Sequence, residues 1–293
     1  MSGRGRGADG PSRDRRAVLT FLALTLGLSA VLWTVMIRAG SLGVWNGRGV
    51  LLLMWCPGVA GILAQLLHHR TLRGMGWGWG STRDQVVSYL LPLGYGLVVY
   101  GAVWAAGLGT VDLGRLPEGM GLARFLGLVV SAGFVSSMIS ATGEEIGWRG
   151  FLVPHLARLT SFRNTGLVSG AVWAVWHWPI LLFAGYNAGT VWWYGLLCFS
   201  VMVVGLSFAM AWLRLHSGSL WTGAILHATH NLFIQGVFDR LTGDAGPTEW
   251  ITGEFGVGLA LALIVVGWGA WRLRARLEAA GAEGADPAHA TTP

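Results

Sequence analysis

The stretch FLGLVVSAGFVSSMISATGEEIGWRG, residues 125–150, joins an apolar segment to two adjacent glutamates and an arginine. Its first sixteen residues are apolar or small, which is typical of a helix inside a lipid bilayer. Ionisable side chains are costly at that depth, and those found there usually face the interior of a helix bundle or a wet cavity. Glu144, Glu145 and Arg149 therefore indicate a membrane fold and a candidate functional site within it.

The composition of the whole chain supports this interpretation. Of the 293 residues, 53% are hydrophobic and only 12% are charged, whereas about 25% of a soluble domain is charged. The sequence pI near 10.1 is explained by basic loops beside membrane segments, so no nucleic acid is expected as a partner. Cys56 and Cys198 both lie in apolar segments, which indicates neither a disulfide framework nor a cysteine metal site.

Eight segments have the roughly 20 apolar residues that a spanning helix needs. The sequence therefore predicts an all-α, polytopic membrane bundle of about eight helices. The predicted spans are 17–37, 49–67, 86–108, 122–153, 164–184, 191–213, 218–238 and 255–272. Together they form one predicted transmembrane domain, residues 17–276, between polar or small-residue tails at 1–16 and 277–293 that are predicted to be disordered and cytoplasmic.

The arginines predict the orientation of the bundle. With the N-terminus inside, fourteen of the twenty basic residues, all of them arginine, lie in inside segments and five lie in outside segments. Cytoplasmic loops of membrane proteins carry such an excess of positive charge. Both termini are therefore predicted to be cytoplasmic, with the lipid bilayer of the cell membrane as the surrounding partner.

Intramembrane polar residues occur in the fourth, fifth and seventh predicted spans. At 1.5 Å per residue, Glu144 is about 15 Å from the cytoplasmic end of its span, which is placed near Pro154. His177 is about 20 Å deep and His227 about 14 Å deep, both measured from the same side. Because these depths agree to about one helical turn, we expect the three spans to share one site that opens toward the cytoplasm.

Helical spacing assigns these side chains to faces. Glu145 and Arg149 are four residues apart and can pair along one helix, whereas Glu144 is offset by about 100° and is predicted to be the reactive carboxylate. His227 and Asn231 are also four residues apart. Small residues that permit close helix approach are expected on the same faces, namely Gly133, Ser137 and Ser140 before Glu144, Gly166 and Gly170 before His177, and Gly223 before His227.

Glutamate, two histidines and asparagine together suit amide hydrolysis. A carboxylate and an imidazole can deprotonate a water, and a second imidazole and a carboxamide can donate hydrogen bonds to a developing oxyanion. The chain lacks the HExxH signature of soluble zinc proteases. Glu144, His177 and His227 are nevertheless residue types that bind zinc, so a metal mechanism stays open beside a metal-free one.

These motifs resemble those of the CPBP family, which includes type II CAAX prenyl endopeptidases and bacteriocin-processing enzymes and is also called the Abi family. The family patterns EExxxR and HxxxN match Glu144 to Arg149 and His227 to Asn231. The FxxxH pattern has Trp173 in place of phenylalanine, which leaves His177 in register. The resemblance covers the motif core, roughly residues 120–240.

The resemblance implies an eight-helix intramembrane endopeptidase whose site opens toward the cytosol. It implies that Glu144 and His177 activate the water and that His227 and Asn231 stabilise the oxyanion. Glu145, Arg149 and Trp173 would support the site. A metal-free glutamate mechanism is preferred over a metalloendopeptidase. The expected substrate is a membrane-associated peptide or protein cleaved near its terminus, and a prenylated tail is not expected in a sequence of bacterial character.

Two other functions are consistent with the same residues. One is a transporter or channel that uses Glu144 and the histidines as a proton relay. The other is an inactive family member that acts as a scaffold or immunity factor, which the intact set of four residues disfavours. Among the remaining residues, His230 is expected to make local hydrogen bonds, and Trp173, Trp176 and Trp178 are expected to line a substrate cavity. His68, His69 and His216 are expected to be solvated near the membrane ends.

Overall fold

The computed structural model describes residues 10–186 and 189–277, which form a bundle of eight helices. Two short strands, β1 (Gly109–Val111) and β2 (Thr242–Asp244), pair antiparallel with Thr110 opposite Gly243. A 3-10 turn at Leu113–Arg115 and a single helical turn at Thr248–Ile251 lie in the loops. The helices are α1 (Gly10–Ala39), α2 (Arg48–His69), α3 (Thr82–Ala105), α4 (Leu122–Leu159), α5 (Phe162–Phe183), α6 (Trp192–Ser217), α7 (221–241) and α8 (Val257–Arg272).

The predicted polytopic helical membrane fold is confirmed. Within the described residues, seven helices are long and apolar enough to cross a membrane, and they correspond to α1 to α6 and α8. The remaining predicted span, 218–238, is helical as α7 but is not among those seven, because His227, His230, Asn231 and Gln235 lower its hydropathy. Such a helix is tolerated in a bilayer when its polar side chains are buried inside the bundle.

The outer surface of the bundle is apolar. Large hydrophobic side chains on several helices are more than half exposed, as expected where helices face lipid and not water. They include Leu19, Val31, Leu67, Val98, Phe183 and Val265. The core instead contains several ionisable residues, among them Glu144, Glu145 and Arg149, so the interior of the bundle is partly polar.

Helices α4 and α7 are not uniformly α-helical. In α4 the α-helical turns end at Glu145, and the next residues, Ile146–Leu152, form π-helical turns. In α7 the α-helical turns end at His230, and Asn231–Phe238 form π-helical turns. π-Helical turns inside α-helices are frequently found at functional sites.

The fourth helix extends beyond the end that the sequence predicts for its span. The sequence places that end near Pro154, but the helix continues to Leu159. Proline is costly inside a regular α-helix because it removes a hydrogen bond to the preceding turn. Here Pro154 lies in the first turn of a new α-helical segment, where its missing N–H costs little.

Glycines bring α2 and α4 into close contact. A Cβ atom on Gly147 would lie 2.4 Å from the carbonyl oxygen of Pro57, and one on Gly58 would lie 2.4 Å from the carbonyl oxygen of Gly143. Neither distance is sterically allowed, so only glycine permits this helix crossing. The contact lies beside Glu144 and therefore fixes the position of the motif.

The predicted N-terminal tail is shorter than the composition indicates. Residues 10–16 form the first turns of α1, because Asp14 is buried and both of its carboxylate oxygens accept hydrogen bonds from Arg158 on α4. Residues 1–9 of this tail and residues 278–293 of the C-terminal tail lie outside the described residues.

Candidate active site

A cavity of about 250 Å³ lies inside the bundle among α2, α4, α5, α6 and α7. All four residues predicted to carry the chemistry line it, so the sequence prediction of one shared site agrees with this geometry. Many apolar side chains complete the wall, including Leu53, Met54, Ile180, Phe199, Met202, Val203 and Leu206. Its polar lining residues are Glu144, His177, Tyr186, His227, His230, Asn231, Gln235 and Glu254.

Glu144 is held by two indole groups. Its side chain is 1% exposed, and its Oε2 accepts hydrogen bonds from the indole Nε1 of Trp148 at 3.1 Å and of Trp173 at 2.6 Å. Both donors bind the same oxygen, which leaves Oε1 without a hydrogen-bond donor among the described residues. Glu144 is also free of the neighbouring ion pair, as the helical spacing predicts.

Glu145 joins α4 to α7. Its Oε1 lies 2.9 Å from Nη1 of Arg149 and 3.0 Å from Nδ1 of His227. The predicted pair with Arg149 is present, but the bond to His227 is a second role that the sequence did not reveal. Because the carboxylate accepts, Nδ1 of His227 carries a proton, and Nε2 is the nitrogen left for other groups.

Arg149 is buried by contacts with three helices. Its guanidinium lies 4.2 Å from the ring centroid of Trp173, and its Nη2 donates to Ser207 Oγ at 3.2 Å. Gly223 on α7 makes room for the ion pair, since a Cβ there would lie 2.9 Å from Glu145 Oε2 and 3.1 Å from Arg149 Cγ. The prediction that Gly223 permits close approach therefore agrees with the structure.

His177 is oriented by its own helix. Its Nδ1 lies 2.9 Å from the carbonyl oxygen of Trp173, and since a carbonyl only accepts, Nδ1 carries the proton. Nε2 of the neutral ring then has a free lone pair, which is the state a general base requires. The ring packs edge-on against Trp176 and Phe199.

The small-residue faces are used unevenly. Gly166 and Gly170 contact α6 closely, at 2.7 Å from Phe208 and 2.9 Å from Val204 for a Cβ atom, and so support the position of His177. On α4 the closest approach instead involves Gly143 and Gly147, on a different face from Gly133 and the serines. Gly143 and Gly147 were not predicted, because the small-residue face was chosen only by its alignment with Glu144.

The far wall of the cavity holds a second carboxylate–histidine pair. Nε2 of His230 lies 3.2 Å from Oε1 of Glu254, while Tyr95 bonds the other nitrogen of His230 and Tyr186 donates to Oε2 of Glu254. Burial alone would raise the pKa of Glu254, but hydrogen bonds from His230, Tyr186 and Gln235 outweigh it and lower that pKa. His230 thus makes long-range bonds and not the local ones expected.

Glu254 and the tyrosines were missed because they lie in loops or in spans without a motif. Trp173 and Trp176 line the cavity as expected. The same prediction is wrong for Trp178, which is 37% exposed and donates to Ser200 Oγ. Asn231 lines the cavity at the first residue of the π-helical turns of α7.

A metal among the predicted residues can be tested against their geometry. Among the described residues, Glu144, His177 and His227 do not bring their ligand atoms within 4.8 Å of one another, as ligands of a single metal ion must be. In the described arrangement these three side chains do not converge on one ion, and metal dependence stays a prediction.

Residues 125–233 match the family model described as type II CAAX prenyl endopeptidase Rce1-like. A curated protein named CAAX prenyl protease 2, from Methanococcus maripaludis, is 28% identical over 102 residues. That match covers 32% of this chain and 36% of the relative, so the chain spans about a third of the length of the curated relative it matches. The resemblance to this family, which the three motifs indicated, is confirmed. The matched segment contains Glu144, His177, His227 and Asn231.

Proposed function

We propose that this protein is an intramembrane endopeptidase that hydrolyses a peptide bond of a membrane-associated protein or peptide near its terminus. One observation carries the proposal. Glu144, His177, His227 and Asn231, contributed by three helices, line the same buried cavity. The family match over residues 125–233 supports the same class of reaction.

Glu144 is the proposed base. Two indole donors hold its Oε2, so its Oε1 is available to accept a proton from a water in the cavity. His177 offers a lone pair at Nε2 and is proposed to share in orienting and deprotonating that water. The resulting hydroxide attacks the carbonyl carbon of the scissile bond, and the captured proton is delivered to the leaving amine.

His227 and Asn231 are the proposed oxyanion donors. Attack on the carbonyl places negative charge on its oxygen, and preorganised donors in a site shielded from water stabilise that charge strongly. The Asn231 carboxamide has an N–H for this purpose. His227 donates from Nε2 when its ring is protonated, and the carboxylate of Glu145 at Nδ1 stabilises that charged form.

Glu145, Arg149 and Trp173 are proposed to position these groups. Arg149 compensates the charge of Glu145, which in turn orients His227. Trp173 contacts three residues of the site, because its indole N–H bonds Glu144, its carbonyl accepts from His177 and its ring covers Arg149. Glu145 and Arg149 act through other residues, whereas Trp173 also lines the cavity.

The active site is proposed to open toward the cytoplasm, with both termini on that side. The arginine distribution supports this orientation. The largely apolar cavity wall and the exposed apolar surface of the bundle support a substrate that arrives within or on the membrane. A peptide with a leader segment, or the end of a membrane protein, fits these features without requiring a lipid group.

The test is proteolysis of a library of terminal peptides by the purified protein in detergent, beside the variant Glu144→Gln. We expect cleavage by the wild type, none by the variant, and no loss of cleavage after metal is removed. If a folded Glu144→Gln protein cleaves normally, the mechanism is wrong. Proton flux through reconstituted protein, without cleavage of any peptide, would instead favour the transporter.

A further inference from the structure

A second cluster of carboxylate and imidazole groups lies outside the cavity and shares no lining residue with it. It joins Asp14 at the start of α1, His69 at the end of α2 and His155 in the last turns of α4. Their ligand atoms all lie within 4.8 Å of one another, and among the described residues they form the only such group. His69 was expected to be a solvated residue, but its side chain is only 20% exposed.

We propose that Asp14, His69 and His155 bind a divalent transition-metal ion, zinc in the first instance. Nε2 of His69 and Nε2 of His155 are 3.1 Å apart, and Asp14 Oδ1 lies 3.7 Å and 3.6 Å from them. Ligands bound tetrahedrally to zinc at about 2.0–2.1 Å are separated by about 3.3 Å. The three distances surround that value, so a zinc ion fits with small side-chain adjustments.

His155 is prepared for this role. Its Nδ1 lies 2.7 Å from the carbonyl oxygen of Phe151, and its ring stacks on the Phe151 ring with centroids 4.1 Å apart. The carbonyl accepts a hydrogen bond from Nδ1–H, which leaves the lone pair of Nε2 directed toward His69. Histidines that ligate metals almost always donate their other ring N–H in this way.

A further polar group at the same place lacks a partner. Gln65 is four residues before His69 on α2, is 5% exposed and lines the same cleft as the three proposed ligands. Its Oε1 is buried and, among the described residues, accepts no hydrogen bond. Such an orphan oxygen is costly, and a metal ligand position, taken directly or through a bound water, would satisfy it.

The donor set selects the metal. Two imidazoles and one carboxylate suit zinc, whereas calcium and magnesium prefer oxygen ligands alone. Arg158 binds both oxygens of Asp14 and fixes the carboxylate, and its side chain is about half exposed, so water screens its charge. Because Arg13 and Arg73 also line the cleft, we expect weaker binding than at a closed structural zinc site.

Such an ion would clamp three helices that are distant in sequence. It would tie α1 and α2 to α4 about three turns beyond Glu144. A chelator would then lower the melting temperature by loosening the bundle, while the reaction proposed at Glu144 would continue in the protein that stays folded. The proposal does not depend on the endopeptidase activity, because metal content and thermal stability are measured without a substrate.

The test uses full-length protein purified in detergent without a polyhistidine tag and stripped of metal. Zinc is added back, and bound zinc is measured by elemental analysis beside the melting temperature. We expect one zinc ion per chain and, at about 100 times its Kd, a rise of about 5 °C in Tm. No bound zinc, or bound zinc without a Tm shift, would overturn the proposal.

Variants then locate the ion. His69→Ala removes the most exposed of the three ligands and is expected to lose both the bound zinc and the Tm shift. The matched control is His68→Ala, one residue earlier, whose ring bonds Thr20 and lies outside the cluster. Zinc retained by His69→Ala, or lost by His68→Ala or Glu144→Gln, would contradict the assignment.

If His69→Ala does not fold, cobalt in the wild-type protein gives an independent answer. We expect a tetrahedral cobalt absorption band that zinc abolishes and that Glu144→Gln leaves unchanged. A featureless octahedral cobalt spectrum in the wild type would exclude the predicted geometry.

Discussion

Helix α4 contributes to two clusters of carboxylates and histidines, and they differ in where the free lone pairs point. At Glu144 the histidines line a cavity of about 250 Å³. At His155 the ligand atoms face one another across 3.1–3.7 Å, which leaves room for a single ion. In both clusters a histidine Nδ1 is bonded to a carbonyl or a carboxylate, so the same residue chemistry is oriented for different purposes.

Residue type alone does not decide what these two clusters do. A lone pair that faces a cavity can take a proton from water, whereas lone pairs that converge on one point favour a cation. Backbone carbonyls and neighbouring aromatic rings determine which case applies, because they fix the histidine tautomer and the ring direction.

The largest effect is expected for Glu144→Gln. The amide cannot accept a proton from water, so we expect kcat to fall by about a thousandfold or more. The indole donors still find a side-chain oxygen, so Tm should change little. The control is Glu249→Gln, an exposed glutamate in a loop. Normal turnover by folded Glu144→Gln would remove the distinction between the clusters.

Arg149→Ala tests structure more than chemistry. It leaves Glu145 buried and charged without its cation, which typically costs about 3–5 kcal/mol of stability. We expect a large drop in Tm. The double variant Glu145→Gln with Arg149→Ala should recover part of it, because no buried charge then remains unpaired. Wild-type melting together with lost cleavage would show that Arg149 acts in the reaction instead.

Glu145→Gln separates orientation from charge compensation. A glutamine can donate to His227 Nδ1 and so select the wrong tautomer, and we expect kcat to fall by about a hundredfold. The pH profile of kcat should shift as well, because His227 loses the carboxylate beside it. A fall in Tm with an unchanged pH profile would assign Glu145 a purely structural role.

Gly147→Ala tests the contact that holds both clusters in position. The added Cβ would overlap the Pro57 carbonyl, so we expect about 1–3 kcal/mol of destabilisation. Gly94→Ala on α3 is the matched control, since a Cβ there meets nothing within 4 Å. That variant should be neutral or slightly stabilising. Equal melting temperatures for the two variants would contradict the tight α2–α4 crossing.

The smallest effect is expected for Glu254→Gln on the far wall. The bond to His230 persists in weaker, uncharged form, so we expect a change in KM of about tenfold or less with kcat nearly unchanged. A loss of kcat as large as that of Glu144→Gln would place a second pair of catalytic groups in the cavity.

The sequence was sufficient for features that depend on residues of a single helix. Apolar length predicted the spans, and helical spacing predicted the Glu145–Arg149 pair and the freedom of Glu144. It failed where residues distant in sequence meet, as for Glu145 with His227 or Glu254 with His230. Asp14 illustrates the reason, because its surroundings look disordered by composition, yet an arginine 144 positions away orders it. No local pattern encodes such a partner.

The π-helical turns at Ile146–Leu152 determine how α4 responds to a change in the number of its residues. A π-helical turn accommodates a residue that an α-helical turn would not, so it is the structural trace of an insertion. Deleting one residue there would restore an α-helix with little rotation of the residues beyond it, because the wider turns already contain the extra residue. His155 and the end of α4 would keep their direction toward α1 and α2. A single deletion should therefore be tolerated better in these seven residues than in the α-helical turns of α4, where it would rotate the rest of the helix by about 100°.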